Sequence, residues 1–336
     1  MNIGLTFDLK EKIFTGQGSP EDALEEYDSP ETVNGISAVL ESLGHSVVRL
    51  GGGSEFLENV RKSKVDMVFN IAEGLGNYRS REAQVPSVLE MLDIPYVGSD
   101  PLCLAVSLDK PLTKKIIKAL EIPTPDWRVI SSLHELHKVD WHEFSFPGFV
   151  KPAQEGSSKG VRLNSRVDTS HQAVEMIERL LKDYRQPVMI EEFIGGEEIT
   201  VGITGNCPAE VLGIMRILPR KQTGDFVYSL EVKRDWENLV MYECPAQIST
   251  QVAQKIEEYS LKIFGELGCR DFARVDFKVN RNGVPYFLEI NPLAGLNPKS
   301  SDLPIMAGLL DIPYKVLIEK IYTAALDRYP NCVTLK

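Results

Sequence analysis

Residues 273–301, ARVDFKVNRNGVPYFLEINPLAGLNPKSS, constrain this chain more than any other stretch, because alternation and turn together fix which side chains share a face. Val275, Phe277 and Val279 alternate with Arg274, Asp276 and Lys278. Tyr286, Leu288 and Ile290 then alternate with Phe287, Glu289 and Asn291. Both runs have the period of a strand. Asn282-Gly283 between them predicts a two-residue type I′ hairpin turn, whose central residues both need positive φ. Counting outward from that turn sets Arg281 opposite Val284, Asp276 opposite Glu289 and Arg274 opposite Asn291, with all four of the last on one face.

Two carboxylates directly across a ladder repel each other, so a cation must lie between them. Arg274 and Lys278 are the chain's own candidates. Asp276, Glu289 and Asn291 supply only hard oxygen ligands, which suits Mg²⁺ or Mn²⁺, and magnesium held by so few carboxylates completes its shell with water and substrate phosphates. The bland alternative is a solvated polar face.

The chain has 336 residues, enough for two or three domains. A formal charge of −11 argues against a nucleic-acid surface and requires that any anionic ligand meet locally clustered bases. Five widely spaced cysteines without CxxC suggest neither a disulfide framework nor a zinc site, and point to a reducing cytoplasm. The opening MNIGLTFDLKEK lacks an apolar signal core, and nowhere does an apolar run approach the ~20 residues of a membrane span.

Strands at 2–7, 46–50, 66–70 and 95–97 alternate with helices at 30–43, 56–61 and 83–92, the pattern of a parallel sheet covered by helices. The fold class is therefore α/β, with a Rossmann-like N-terminal domain over 1–106. Gly51-Gly-Gly53 is not GxGxxG and warrants no dinucleotide reading. The loop at 15–30 is long for a compact domain, and long ordered loops are often functional. From 107 the order of strands and helices changes to that of two α+β lobes, 107–193 and 194–336. Further strands are expected at 211–218 and 226–233, and helices at 250–267 and 314–329.

Three segments carry candidate chemistry. EGSSKG at 155–160 follows a strand, and its backbone N–H groups, hydroxyls and lysine suit phosphate, although it is no Walker loop and a plain flexible turn has the same composition. Lys110 and Lys151 are bases on separate elements; each alone reads better as a surface lysine. EEFI at 191–194 offers a strand end with backbone groups for a flat adenine edge read also by Glu191. Gly195-Gly196 then forms a hinge and Glu198 reaches a ribose, against the plain reading of a strand-turn-strand.

Taken together, Lys110, KPAQEGSSKG at 151–160, EEFIGGEE at 191–198, ARVD at 273–276 and LEIN at 288–291 resemble the ATP-grasp superfamily, and specifically its D-alanine-D-alanine ligase family. PYVGS at 95–99, LDK at 108–110 and GLNPKS at 295–300 extend the resemblance over nearly the whole chain. It implies a two-lobed ATP-grasp module holding ATP between the lobes. Lys110 and Lys151 then meet the phosphates and Ser157, with Ser158, the mobile loop's side. Glu191, Glu192, Phe193, Ile194 and Leu288 line the adenine, Glu198 the ribose, and Lys233 is the ω-loop lysine. Asp276, Glu289 and Asn291 ligate two Mg²⁺ ions, and Arg274 stabilises the tetrahedral intermediate. Gly295, Ser300 and Ser301 surround the oxyanion and the substrate carboxylate. The implied reaction converts a carboxylate and ATP to an acyl phosphate that an amine attacks. D-alanine dimerisation for peptidoglycan is the leading assignment, with small-molecule amino-acid substrates and a homodimer as the usual assembly.

The chain departs from the family pattern on the amino-acid side. The N-terminal glycine-rich turn with its amine-binding Glu is replaced by Phe7-Asp8-Leu9 and an acidic loop ending at Asp28, with Glu31 as a substitute acid. Glu73 stands where the family carries His, and Arg234 where tyrosine follows the ω-loop lysine. Asp28, Glu31 and Glu73 are expected around a substrate amine. Arg234 either meets a substrate carboxylate or pairs with Asp235 or Glu231. The first alternative implies a substrate bulkier or more acidic than alanine. A related ligase with another donor or acceptor is the rival reading. A nucleotide-binding regulator without turnover is a third, which the intact set Lys110, Lys151, Arg274, Asp276, Glu289 and Asn291 argues against.

Overall fold

A computed structural model describes residues 1–16, 18–221 and 226–330. Three sheets follow one another along the chain. The first holds β1 (Asn2–Thr6), β2 (Ser46–Arg49), β3 (Met67–Asn70) and β4 (Tyr96–Val97), all parallel in the order β2-β1-β3-β4. All four residues of β3 are buried, as a strand covered on both faces requires. One face is completed from far along the chain. Ile3, Leu5 and Phe69 share a core with Leu317, Ile318 and Ile321 of the last helix, Tyr314–Arg328.

The second sheet is antiparallel, in the order β5-β8-β6-β7, from β5 (Trp127–Ile130), β6 (Gly148–Pro152), β7 (Arg166–Val167) and β8 (Val188–Glu192). The third runs β11-β10-β9-β12-β13, with β9 (Glu197–Gly205), β10 (Ala209–Pro219), β11 (Val240–Glu243), β12 (Phe272–Val279) and β13 (Pro285–Asn291). The glycine- and serine-rich segment at 155–160 lies between β6 and β7.

Two local expectations are corrected. The β12–β13 turn is not a two-residue type I′ loop. Asn280 and Val284 close a three-residue loop, in which Gly283 donates to the Asn280 carbonyl at 2.9 Å and has positive φ, while Asn282 does not. That turn alone would shift the register by one residue. A bulge at Leu288 restores it, since Asp276 faces Glu289 whereas Phe277 faces Phe287. The carboxylates therefore pair as the sequence suggests, but the alternation breaks. Phe287 leaves the polar face and packs edge-on against Phe277 in the core, with ring centroids 6.2 Å apart.

The segment at 226–233 is not a strand. Its apolar residues alternate, but β11 already covers the edge of β10. Leu230–Arg234 instead winds into a short helix, started by Lys233 donating to the Ser229 carbonyl at 2.9 Å and docked by Leu230 donating to the Val161 carbonyl at 3.0 Å.

Candidate active site

The cleft between the second and third sheets gathers residues that the sequence scatters. One cavity is lined by Lys110, Lys151, Ser158, Glu191, Glu192, Phe193, Ile194, Glu198, Lys233, Asp276, Leu288 and Glu289. Leu288 reaches it because it is the bulged residue of β13. Lys110 opens the helix Lys110–Ala119, whose Asp109 cap accepts from Leu112 N at 3.0 Å. Its ammonium donates to the Glu155 carbonyl and lies 3.4 Å from Glu289.

Lys151 donates to Glu191 at 2.5 Å. The other Glu191 oxygen sits 2.9 Å from Lys114, a fully buried lysine one helical turn after Lys110. Lys114 also donates to Thr124 Oγ1 at 2.6 Å. Burial pushes the Lys114 ammonium down to about 8 against the pull of Glu191. Burial would raise the Glu191 carboxyl, but Lys114 and Lys151 hold it below its ordinary range. Lys114 has no place in the sequence reading. The i, i+4 spacing from Lys110 was the available signal.

Asp276 and Glu289 converge with Asn291, whose amide donates to Asp276 at 3.2 Å and lies 3.5 Å from Glu289. Arg274 is the cation beside them, 2.9 Å from Asp276 and 3.9 Å from Glu289; its other arm reaches Asp302 at 3.2 Å. Lys278, the other candidate cation, turns instead to Glu198 at 2.5 Å. Burial raises the Asp276 carboxyl even with Arg274 in contact, and Glu289 adds to the rise. Burial acts likewise on Glu289, but Lys110, Lys151 and Arg274 hold it far below the ordinary range. Two carboxylates and an amide offer only hard oxygen ligands, which fit a divalent hard cation. No cluster of three or more His, Cys, Asp or Glu of metal-binding shape occurs among the described residues.

A second cavity adjoins the first and shares Lys110, Glu155, Tyr228, Lys233, Arg274 and Asp302 with it. Asp28, Glu73, Ser157, Arg234, Asn291, Gly295, Ser300 and Ser301 line it, as does Glu82, which the sequence reading missed. Gly295 is required there, since a Cβ would come within 2.7 Å of Ser301 Oγ, which accepts from Asn297 N at 3.0 Å. Glu31 is not part of this lining. It is exposed and paired with Lys299 at 2.6 Å.

Arg234 takes neither of its sequence neighbours as partner. It donates to Glu25 at 2.7 Å and contacts Glu21, both in the long acidic loop of the first domain. The same loop grips the glycine-serine segment at 155–160. Asp22 accepts from Gly160 N at 2.9 Å and from Tyr184 Oη at 2.6 Å, and Arg162 joins Glu21 at 2.7 Å. Beneath lies a buried square: Arg81 and Lys159 each pair with both Glu26 and Glu155, at 2.7 to 3.0 Å. These contacts hold Ser157 and Ser158 consecutively at positive φ, 49° and 58°, a strained backbone for serine.

Two antiparallel sheets clasping a lysine-lined cavity, with an oxygen-ligand hairpin on its floor and a tethered glycine-serine loop over it, define an ATP-grasp ligase, an enzyme that forms a carbon–nitrogen bond. The family described as "D-ala D-ala ligase C-terminus" matches residues 116–323. The chain belongs to the D-alanine-D-alanine ligase family. The D-alanine–D-alanine ligase of Aquifex aeolicus (strain VF5) is 37% identical over 88% of this chain and 94% of that protein. An uncharacterised protein, y4sG, of Sinorhizobium fredii is 32% identical over 88% of this chain and 87% of its own length. Among solved structures, D-alanine–D-alanine ligase from Bacillus anthracis complexed with ATP superposes with a TM-score of 0.75 at 25% identity, covering 98% of this chain and 99% of the other. Among the described residues no helix is long and apolar enough to cross a membrane.

Proposed function

We propose that this enzyme joins two amino acids, with D-alanine–D-alanine formation from two D-alanines and ATP as its reference reaction. The observation that carries this is the boundary shared by the nucleotide cavity and the amino-acid cavity, where Lys110, Lys233 and Arg274 stand against the two carboxylates Glu155 and Asp302 and leave a net positive place for a terminal phosphate and a substrate carboxylate to meet. Adenine lies against the backbone of 192–194, Phe193, Ile194 and Leu288. The Glu191 carboxylate, consumed by Lys114 and Lys151, orients Lys151 instead. Glu198 reaches the ribose.

Lys110 and Lys151 take up phosphate charge as the first carboxylate oxygen attacks the γ-phosphorus, leaving ADP and an acyl phosphate. The amine of the second amino acid then adds to the acyl carbon, the developing oxyanion faces Arg274 and the backbone around Gly295, and phosphate leaves as the amide forms. Arg274 is aimed by Asp276 and Asp302 and needs no reorganisation at that moment. The loop at 155–160, closed down by the acidic strap, keeps water from the acyl phosphate. Asp276, Glu289 and Asn291 would hold Mg²⁺, which there supplies neutralisation of the transferring phosphate. We place the reaction in the cytoplasm, with its product feeding peptidoglycan assembly.

The test is ADP release from MgATP with D-alanine, with mass spectrometry of the product. Dipeptide and ADP in equal amounts are expected. ATP binding without ADP release for any amino acid, alone or in pairs, would replace this reading with that of a regulator.

A further inference from the structure

We infer that the amino-acid cavity is built for a carboxylate donor carrying a second cationic group beside its α-ammonium, with Asp28, Glu73 and Glu82 as the subsite for the two positive charges. This rests on the ligase reading and specifies its substrate class.

The inference begins with the acids around the cavity and their partners. Glu26 and Glu155 are matched by Arg81 and Lys159, two anions against two cations. Asp8 accepts from Gly74 N at 3.0 Å, and Glu25 is taken by Arg234 and Lys10. Asp302 is taken by Arg274, which leaves three carboxylates of the cavity wall. Asp28 has Thr32 as a hydrogen-bond donor and Lys10 as a more distant cation, with no ion pair among the described residues. Glu73 and Glu82 have neither hydrogen bond nor ion pair from their carboxylates among the described residues.

Glu82 carries the most weight. It is only 8% exposed and lines the cavity. The cations that act on it, Arg81 and Lys110, are already paired with Glu26, Glu155 and Glu289, and burial still raises its carboxyl. A cationic ligand favours its ionised form.

Charge counting sets the ligand. The α-ammonium of an ordinary amino acid satisfies one carboxylate, and its own carboxylate is directed to the phosphate boundary at Lys110, Lys233 and Arg274. At least one further unmatched acid remains for a side-chain ammonium or guanidinium. Arg234 supplies the complementary exclusion. Its guanidinium is occupied by Glu21 and Glu25, so the cation that the sequence offered to an acidic substrate is already spent. An acidic donor brings no cation to Asp28, Glu73 and Glu82, whose ionised forms burial disfavours, and is the poorer fit.

The experiment uses the full-length enzyme with MgATP and D-alanine as amine acceptor. The donors compared are D-ornithine, D-lysine and D-2,3-diaminopropionate, with D-norleucine as the neutral control of similar size and D-glutamate as the acidic one. ADP release gives kcat/KM and mass spectrometry identifies which carboxylate was activated. A diamino donor is expected to exceed D-norleucine by at least roughly tenfold, with D-glutamate lowest. Glu82→Gln, and separately Glu73→Gln, should shrink the diamino-to-norleucine ratio. ATP affinity reports that each variant is folded. Equal or better use of D-norleucine or D-glutamate by the unsubstituted enzyme overturns the inference, and a ratio unmoved in both variants overturns the assignment to these acids. Absence of ADP release with every donor would instead defeat the ligase reading itself.

Discussion

The Arg234 guanidinium donates to the Glu25 carboxylate at 2.7 Å, joining residues 209 apart along the chain. It ties the short helix Leu230–Arg234 to the acidic loop that also holds Gly160 and Arg162. Both side chains are partly exposed, so the pair adds little to global stability and is screened by salt. Arg234→Ala should therefore leave the melting temperature almost unchanged, while hydrogen exchange of 21–28 and 155–160 accelerates and KM for the amino acid rises. Unaltered exchange in both segments would show that the strap does not depend on this contact.

Glu289 is held ionised by Lys110, Lys151 and Arg274 and faces Asp276 across the ladder. Glu289→Gln keeps the shape and removes the charge. ADP formation should fall by roughly a hundredfold or more, as for loss of a group aimed at developing charge. The far-ultraviolet circular dichroism should not change. Titration calorimetry should show weaker Mg²⁺ uptake by the ATP complex.

Lys114 is buried against Glu191 and Thr124. Removing one partner of such a pair strands the other. Lys114→Met should destabilise the fold by about 3–5 kcal/mol, read from urea unfolding, and weaken ATP binding because Glu191 then pulls on Lys151 alone. Stability within about 1 kcal/mol of the unsubstituted protein would argue against a structural role for the pair.

The buried acids of the second cavity make the protein pH-sensitive. Burial, with Asp8 nearby, pushes the Asp28 carboxyl up to about 8 against Lys10 and Thr32. Burial, with Glu26 and Glu155, raises Glu82 to about 7 against Arg81 and Lys110. Both groups bind protons more tightly folded than unfolded, so their contribution is full below the ordinary carboxyl values of 3.8 and 4.5 and is lost as pH rises through about 7 to 8. The melting temperature of the ligand-free enzyme should fall over that window. Glu82→Gln and Asp28→Asn should each flatten the fall.

The sequence by itself determined the chemistry of the hairpin face, the lysines and glycines around the phosphates, and the α/β alternation of the first segment. These are local properties: side-chain type, backbone preference and a period of two or 3.6 act over a few residues. Even so, the pairing of Asp276 with Glu289 came from a three-residue loop and a bulge whose shifts cancel, and only the packing of Phe287 against Phe277 shows why Leu288 must be the residue displaced. Tertiary structure alone decided that Arg234 is spent on Glu21 and Glu25, that Glu31 stays outside the cavity, that Glu82 lies buried at its wall, and that Lys114 is buried behind Glu191. It also closed the first sheet with the chain's last helix. Each of those outcomes depends on which distant surfaces meet, and a charge takes the partner that packing brings within 3 Å rather than the one nearest in sequence.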